Sequence, residues 1–255
     1  MAQAIFAVAG NKRKPLAKKH ARKTMRFLQK QKIPFIVDSG FLKTKNSIPL
    51  KKILADFFLI FGGDGTLLHV IREMPGQKPV LGINCGKHGK LMLLSPTKTE
   101  SAIKKILEGK FSIEKRARLQ ITADGKRLPS ALNEVIVAPT QSFVLSEFKL
   151  KINAAVSSLS ADAICISTPT GSTAFAFSAG GKKISAHKRL FELLPVNAFS
   201  GQKKPLLVSD NKTVSVFPLE HVPHEVIIDG QRRIALKKKL VVKKSNEPAL
   251  FVRLR

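Results

Sequence analysis

Phe57-Phe58-Leu59-Ile60-Phe61-Gly62-Gly63-Asp64-Gly65-Thr66-Leu67-Leu68 is an apolar run that ends in three glycines around one aspartate. Such a run, bounded by glycine, reads as a strand buried on both faces, the kind found in parallel sheets. Leu67, Leu68, Val70 and Ile71 then recur at helix-like spacing, so the turn joins a strand to a helix. Glycines at such a turn let backbone N–H groups approach phosphate oxygens, and the helix N-terminus behind them favours an anion. Asp64 is the residue that needs explaining, because a carboxylate beside phosphates is repulsive. It has two functional readings, holding a magnesium ion or accepting the proton of an attacking hydroxyl. It has one structural reading, capping the helix while the glycines make a tight turn. Spacing alone does not separate them.

Outward from this turn, strands and helices alternate. Ala4–Val8, Pro34–Val37, Phe57–Phe61 and Pro79–Ile83 read as strands. Pro15–Gln31, the segment after Asp64, and Glu100–Leu107 read as helices, the first opened by its proline. This order predicts an α/β fold whose N-terminal domain is a doubly wound parallel sheet, with ligands at the carboxyl ends of its strands. Past about residue 110 helical signals become rare. Ile113–Ala123, Leu132–Val137, Phe148–Ile152 and Asp162–Ser167 are strand-like, separated by turns such as Asp124-Gly125-Lys126. The expected organisation is therefore residues 1–110 as the α/β domain and 111–240 as a β-rich second domain. Residues 241–255, with the apolar Ala249–Val252, would return to the first.

Composition narrows the class. Hydrophobic residues make up 44% of the 255, enough for an ordinary core. No apolar run reaches the roughly 20 residues that span a bilayer. The opening Met1–Ala9 has no basic residues before its apolar run, unlike a secretory signal. Two cysteines, Cys85 and Cys165, make no disulfide framework and suit a reducing, cytoplasmic setting. Forty-five basic residues face 17 acidic ones, a net charge of +28 that favours anionic partners. Runs such as Lys12-Arg13-Lys14 and Lys237-Lys238-Lys239 read first as solvated faces and second as a polyanion-binding surface. There is no Trp or Tyr beside 16 Phe, which removes most base-stacking platforms and argues against single-stranded nucleic acid as the partner.

Two further segments carry chemistry. Gly82-Ile83-Asn84-Cys85-Gly86-Lys87-His88-Gly89 follows a strand and has the makings of a nucleotide-site wall, or of a loop shaped for packing. Ser167-Thr168-Pro169-Thr170-Gly171-Ser172-Thr173-Ala174-Phe175 crowds five hydroxyls into a strand-to-helix turn, offering neutral donors and acceptors to sugars, bases or phosphates. An ordinary cap explains one or two of these, not five. Asn133-Glu134 at a strand start is a pair able to read ribose hydroxyls, though taken alone such a pair is more often structural. Neither a Walker loop nor a Gly-x-Gly-x-x-Gly fingerprint is present, and the histidines and cysteines show no metal-ligand spacing.

In this order the segments resemble the NAD kinase family: Gly62–Thr66, Gly82–Gly89, Leu132-Asn133-Glu134, Ser167–Gly181 and Asp229-Gly230-Gln231. The likeness runs over about residues 56–232. The first motif is shared with phosphofructokinases and lipid kinases, whereas the hydroxyl-rich segment is specific. The resemblance implies an α/β domain with the Gly-Gly-Asp-Gly turn and a β-rich domain completing the NAD site. It implies transfer of phosphate from ATP, or in some members polyphosphate, to the 2′-hydroxyl of the adenosine ribose of NAD. A divalent metal, usually magnesium, assists, and subunits of a homodimer or homotetramer complete each other's sites.

Carried over, Asp64 is the base, with Gly63 and Gly65 near the phosphates and His69 a basic contact. Asn133 and Glu134 hold the adenosine end and Asp162 the nicotinamide end. Thr173, Ala174, Phe175 and Ser178 line the pocket, and Gln231 joins the nucleotide contacts. Phe175 replaces the usual tyrosine, Lys90 a frequent phenylalanine, Ala163 the glycine after the aspartate, and Ser160 an arginine found in some members. Rival readings are a lipid or sugar kinase sharing only the first motif, and a basic polyanion-binding protein on a kinase-like scaffold.

Overall fold

The computed structural model describes residues 4–87, 89–141, 144–219 and 222–255. Met1–Gln3 of the opening run and His88 of the glycine-rich stretch lie outside them. In chain order the elements begin β1 (Phe6–Gly10), α1 (Pro15–Lys30), β2 (Phe35–Asp38), β3 (Ser47–Ile48), β4 (Phe57–Gly62), α2 (Asp64–Glu73), β5 (Val80–Asn84), α3 (Thr99–Leu107) and β6 (Phe111–Arg116). They continue as β7 (Leu119–Ala123), β8 (Lys126–Ala131), β9 (Glu134–Pro139), β10 (Ser146–Ile152), β11 (Ala155–Ala161), β12 (Ala163–Ser167) and α4 (Phe175–Ser178). The last are β13 (Leu190–Val196), β14 (Leu206–Ser209), β15 (Val214–Pro218), β16 (His224–Ile228), β17 (Arg232–Leu236), β18 (Leu240–Lys244) and β19 (Ala249–Leu254). No helix among the described residues is long and apolar enough to cross a membrane.

The chain divides into two compact units, one running to Lys115 and including Ala249–Arg255, the other Arg116–Pro248. In the first, seven strands form a sheet in the order β3-β2-β1-β4-β5-β19-β6. The pairs β1–β2, β1–β4 and β4–β5 are parallel, as the alternation of strand and helix predicts. Phe6, Val8, Leu59, Phe61, Leu81 and Ile83 form one face, covered by Ala17, Ala21 and Leu28 of α1 and Ala102, Ile103 and Ile106 of α3. The intervening residues point the other way. There Gly82 leaves room for Leu67 of α2: a Cβ on Gly82 would stand 3.1 Å from the Leu67 methyl. Helices therefore cover both faces, the doubly wound arrangement.

The second unit has two antiparallel six-stranded sheets, β11-β10-β15-β18-β7-β8 and β14-β13-β12-β9-β16-β17. Their inner faces share one core, including Ile121, Val135, Phe148, Ile164, Phe191, Val216, Val226 and Val242. Strict alternation along β10, with Phe148 and Leu150 buried and Lys149 and Lys151 exposed, is what a sheet wet on one side requires.

Some expected strands shift or break. Ile113–Ala123 is two strands, not one: β6 joins the first sheet and β7 opens the second unit's. At the break the buried Arg118 guanidinium donates to the Ser130 carbonyl at 3.0 Å, turning the chain out of the ladder. Leu132–Val137 starts its ladder only at Glu134, because the N–H groups of Leu132 and Asn133 are taken by the Asp229 carboxylate.

Candidate functional site

In the first unit, the Gly62–Thr66 turn lies at the carboxyl ends of β1 and β4. The chain leaves β1 toward β2 and β3 on one side, and β4 continues to β5 on the other, so the order reverses between β1 and β4. Ligands of open α/β sheets occupy that crevice. Gly63, not Asp64, is the N-cap of α2, and no side chain caps the helix. Asp64 instead opens α2 and turns its carboxylate toward the strand-end loop: Oδ2 accepts the Lys90 N–H at 2.8 Å, and Oδ1 accepts those of Leu91 and Met92 at 3.0 and 3.2 Å. The glycine-rich stretch is held to the same place, with the Cys85 N–H donating to the Gly62 carbonyl at 2.7 Å and the Gly86 N–H to Asn84 Oδ1 at 2.9 Å.

Three donors fix the Asp64 carboxylate. With about four acceptor positions on a carboxylate, one remains for a ligand hydroxyl. His69 lies five residues on, about 140° round the helix from Asp64, with Nδ1 3.5 Å from the Arg72 guanidinium. Partial burial and then the Arg72 charge lower its pKa from the ordinary value. The helix therefore does not bring His69 to the side of α2 that Asp64 occupies.

In the second unit, a separate cluster is built on β9, β12 and the β16–β17 turn. Glu134 pairs in register with Ser167, and Ser167 with Glu192 on β13, so the two glutamates flank one serine across three strands. Asp229, with φ of 49°, and Gly230, at 65°, take left-handed conformations in the three-residue connection between the paired Ile228 and Arg232. That turn aims the Asp229 carboxylate at β9, where it takes the N–H of Asn133 at 2.8 Å and of Leu132 at 3.1 Å. Asn133 and Glu134 are thus fixed by their backbones while their side chains stay uncommitted: Asn133 Oδ1 and Glu134 Oε2 are buried and unpartnered among the described residues. Burial first, and the neighbouring Asp229 charge second, push the Glu134 carboxyl up to about 8. The buried Cys165 thiol is likewise pushed up by burial, then by Glu134 and Glu192.

The hydroxyl-rich turn differs from its reading. Thr168 Oγ1 donates to the Leu132 carbonyl at 2.6 Å and accepts the Gly171 N–H at 3.1 Å. Ser172 Oγ donates to the Pro169 carbonyl at 2.8 Å and accepts the Ile184 N–H at 2.9 Å. Ser167 Oγ donates to the Thr168 carbonyl at 3.1 Å. These three hydroxyls are buried and fold the turn rather than face a ligand. Glu192 Oε1 closes the segment by accepting the Lys182 N–H at 2.6 Å. What the turn presents outward is Thr173 and Ala174, half-buried, and Phe175 and Ser178, exposed.

Gln231 is exposed in the same hairpin as Asp229. Asp162 is elsewhere: it precedes β12, about 17 Å along the strand from Ser167, and its Oδ2 accepts from Asn197 Nδ2 at 2.9 Å. Sequence reading noted Asp229 only as part of a motif. Its Asp-Gly step signals a hairpin, but its carboxylate's partners lie 96 and 97 residues away. No group of three or more His, Cys, Asp or Glu among the described residues forms a metal cluster.

Residues 6–111 match the family model of the ATP-NAD kinase N-terminal domain, and residues 132–254 that of the ATP-NAD kinase C-terminal domain. An NAD kinase of Methanospirillum hungatei is 34% identical over 200 residues, 77% of this chain and 74% of that protein. One of Methanothermobacter thermautotrophicus is 32% identical over 247 residues, 92% of this chain and 86% of that protein. The crystal structure of an NAD kinase from Archaeoglobus fulgidus in complex with ATP superposes with a TM-score of 0.83 at 26% identity, covering 97% of this chain and 92% of that one. A yeast NADH kinase complexed with NADH shares the fold, with a TM-score of 0.89 at 19% identity over 100% of this chain and 84% of that one.

Proposed function

We propose, for a chain that belongs to the NAD kinase family and phosphorylates NAD with ATP, that Asp64 is the base of the transfer. The observation that carries this is the orientation of its carboxylate, set by three backbone N–H donors with one acceptor position left over. In that role it takes the proton of the 2′-hydroxyl of the adenosine ribose as the oxygen attacks the terminal phosphorus of ATP. ADP leaves with the bridging oxygen's electrons, and NADP is the product. Gly63 and Gly65 would lie along the donor phosphates. Asn133 Oδ1 and Glu134 Oε2, buried and unpartnered, suit ribose hydroxyls that bring their own donors. Thr173, Ala174, Phe175 and Ser178 would wall the pocket, with Gln231 beside them. The first unit would thus serve the donor and the second NAD.

Phosphoryl transfer from ATP calls for a divalent metal, which we take to be magnesium. Among the described residues, no side-chain cage is built for it. Magnesium bound largely by phosphate oxygens and water, with Asp64 as the one carboxylate of the turn within its reach, fits the residues present. Its chemistry would be neutralisation of charge on the transferred group.

Asp162 would meet the nicotinamide end, about a strand's length from Ser167. A homodimer or homotetramer is the expected assembly, and sedimentation distinguishes either from a monomer. The +28 charge also favours inorganic polyphosphate as a second donor; absence of NADP formation with it at low salt ends that reading. The test of the main proposal is NADP formation by Asp64→Asn. We expect kcat to fall on the order of a hundredfold to ten-thousandfold, and unchanged turnover would overturn it.

A further inference from the structure

The run Lys12-Arg13-Lys14 divides in the structure: Lys12 and Arg13 are exposed, whereas Lys14 is half-buried. Its position follows from the sheet. Gly10 of β1 stands level with Phe61 of β4, and the Asn11 N–H donates to the Phe61 carbonyl at 3.0 Å. Asn11 then folds the loop on itself, its Oδ1 accepting the Arg13 N–H at 2.9 Å and its carbonyl the Lys14 N–H at 3.1 Å. The loop therefore ends directly beside the Gly62–Thr66 turn, in the crevice where the strand order reverses.

Gly63 shows how close that is. A Cβ built on it would stand 3.5 Å from Lys14 Nζ, with no other neighbour within 4 Å among the described residues. The ammonium lies over the bare α-carbon of the turn, and its charge reaches the Cys85 thiol just past β5. Among the described residues Lys14 Nζ has neither an ion pair nor a hydrogen bond. The nearby carboxylate, Asp64, is turned to the N–H groups of residues 90–92. A half-buried cation left without a counter-ion beside a glycine turn calls for an anion supplied from outside.

We infer that Lys14 binds the terminal phosphates of the phosphoryl donor, clamping them against Gly63 and placing the transferred group in front of Asp64. The ligand class is a linear polyphosphate chain, the triphosphate of ATP in the first instance. The inference rests on the reading that the Gly62–Thr66 turn receives the donor, and it adds a cation to a site otherwise made of backbone N–H groups. The N-terminus of α2 does not carry it; the uncompensated ammonium over Gly63 does.

Steady-state kinetics of the full chain, with ATP and NAD varied separately, test it. Lys14→Ala should raise KM for ATP and lower kcat/KM for ATP by about tenfold to a hundredfold, the scale of a lost charge-assisted bond. KM for NAD should stay within about twofold, and Lys14→Arg should recover most of the loss. The double variant Lys12→Ala/Arg13→Ala should stay within about twofold of the parent at low salt. Thermal unfolding of each variant checks that it folds.

Gly63→Ala separates the two levels of the argument. Its backbone is extended, φ −132° and ψ −178°, so alanine is unstrained there, yet the methyl fills the space beneath Lys14. If Gly63→Ala raises KM for ATP and Lys14→Ala does not, the Lys14 inference falls while the donor reading stands. If neither changes it, the donor binds elsewhere and both fall. An equal loss in the Lys12/Arg13 double variant would mean bulk charge at work and would overturn the specific role.

Discussion

The backbone N–H of Asn133 donates to the Asp229 carboxylate at 2.8 Å, joining residues 96 apart in sequence. Asp229 also takes the Leu132 N–H, so one buried carboxylate in a hairpin turn fixes the start of β9. Asp229→Ala strands two buried N–H groups, each costing about 1–3 kcal/mol. We expect a stability loss of about 2–5 kcal/mol in urea unfolding, a raised KM for NAD and an unchanged KM for ATP. Asp229→Asn keeps an acceptor and should fall between. An NAD affinity unchanged in a folded Asp229→Ala protein would show that the anchor is not needed for the nucleotide.

Glu134 makes stability depend on pH with a definite sign. Its carboxyl is raised to about 8 by burial and then by Asp229, against an unfolded value of about 4.5. Between those values the folded chain holds a proton that the unfolded chain has released, so stability falls as pH rises. The contribution is fully present below about 4.5 and lost above about 8. Unfolding free energies measured from pH 5 to 9 should decline by up to a few kcal/mol from this group. Glu134→Gln, neutral throughout, should flatten that decline. A parallel curve in the variant would place the proton elsewhere.

Asp64 is a hydrogen-bond acceptor for a loop as well as the proposed base, and the two roles separate experimentally. Removing its carboxylate in Asp64→Ala frees the N–H groups of Lys90, Leu91 and Met92. Amide exchange at these three positions should quicken by about tenfold or more, the scale of one net hydrogen bond, while exchange in β4 stays slow. Asp64→Asn retains an acceptor oxygen and should protect part of the loop while still losing turnover. Unchanged exchange in Asp64→Ala would show that something else orders residues 90–92.

What was legible in the sequence was what depends on neighbours along the chain. The apolar run Phe57–Phe61, the glycines after it and the spacing of Leu67 to Ile71 are local, and they set the parallel sheet with helices on both faces. The break between Arg116 and Leu119 was not legible, because the Arg118 guanidinium finds its acceptor on Ser130, in the next hairpin. The hydroxyl cluster was read as facing a ligand, yet Thr168 spends its hydroxyl on Leu132, 36 residues earlier. Lys14 sat in a run of basic residues that composition assigns to solvent. Only the register of β1 against β4 puts its ammonium over Gly63.

Gly171 ties that hydroxyl-rich turn to β9 by close approach. A Cβ there would meet the Asn133 carbonyl oxygen at 2.2 Å and its carbon at 2.5 Å, both backbone atoms unable to rotate away. The same carbonyl accepts the Thr168 N–H at 2.8 Å, so the contact cannot loosen without breaking a bond of the turn. Gly171→Ala should therefore push Thr173, Ala174 and Phe175 away from Asn133 and Glu134. We expect a loss of about 1–3 kcal/mol in urea unfolding together with a raised KM for NAD. Gly125→Ala is the contrast: its φ of +82° strains an alanine, but nothing lies within 4 Å of the added methyl. It should cost stability by about 1 kcal/mol and leave KM for NAD alone. If the two variants lose stability equally and neither affects KM, the turn's seat on Asn133 does not shape the NAD pocket.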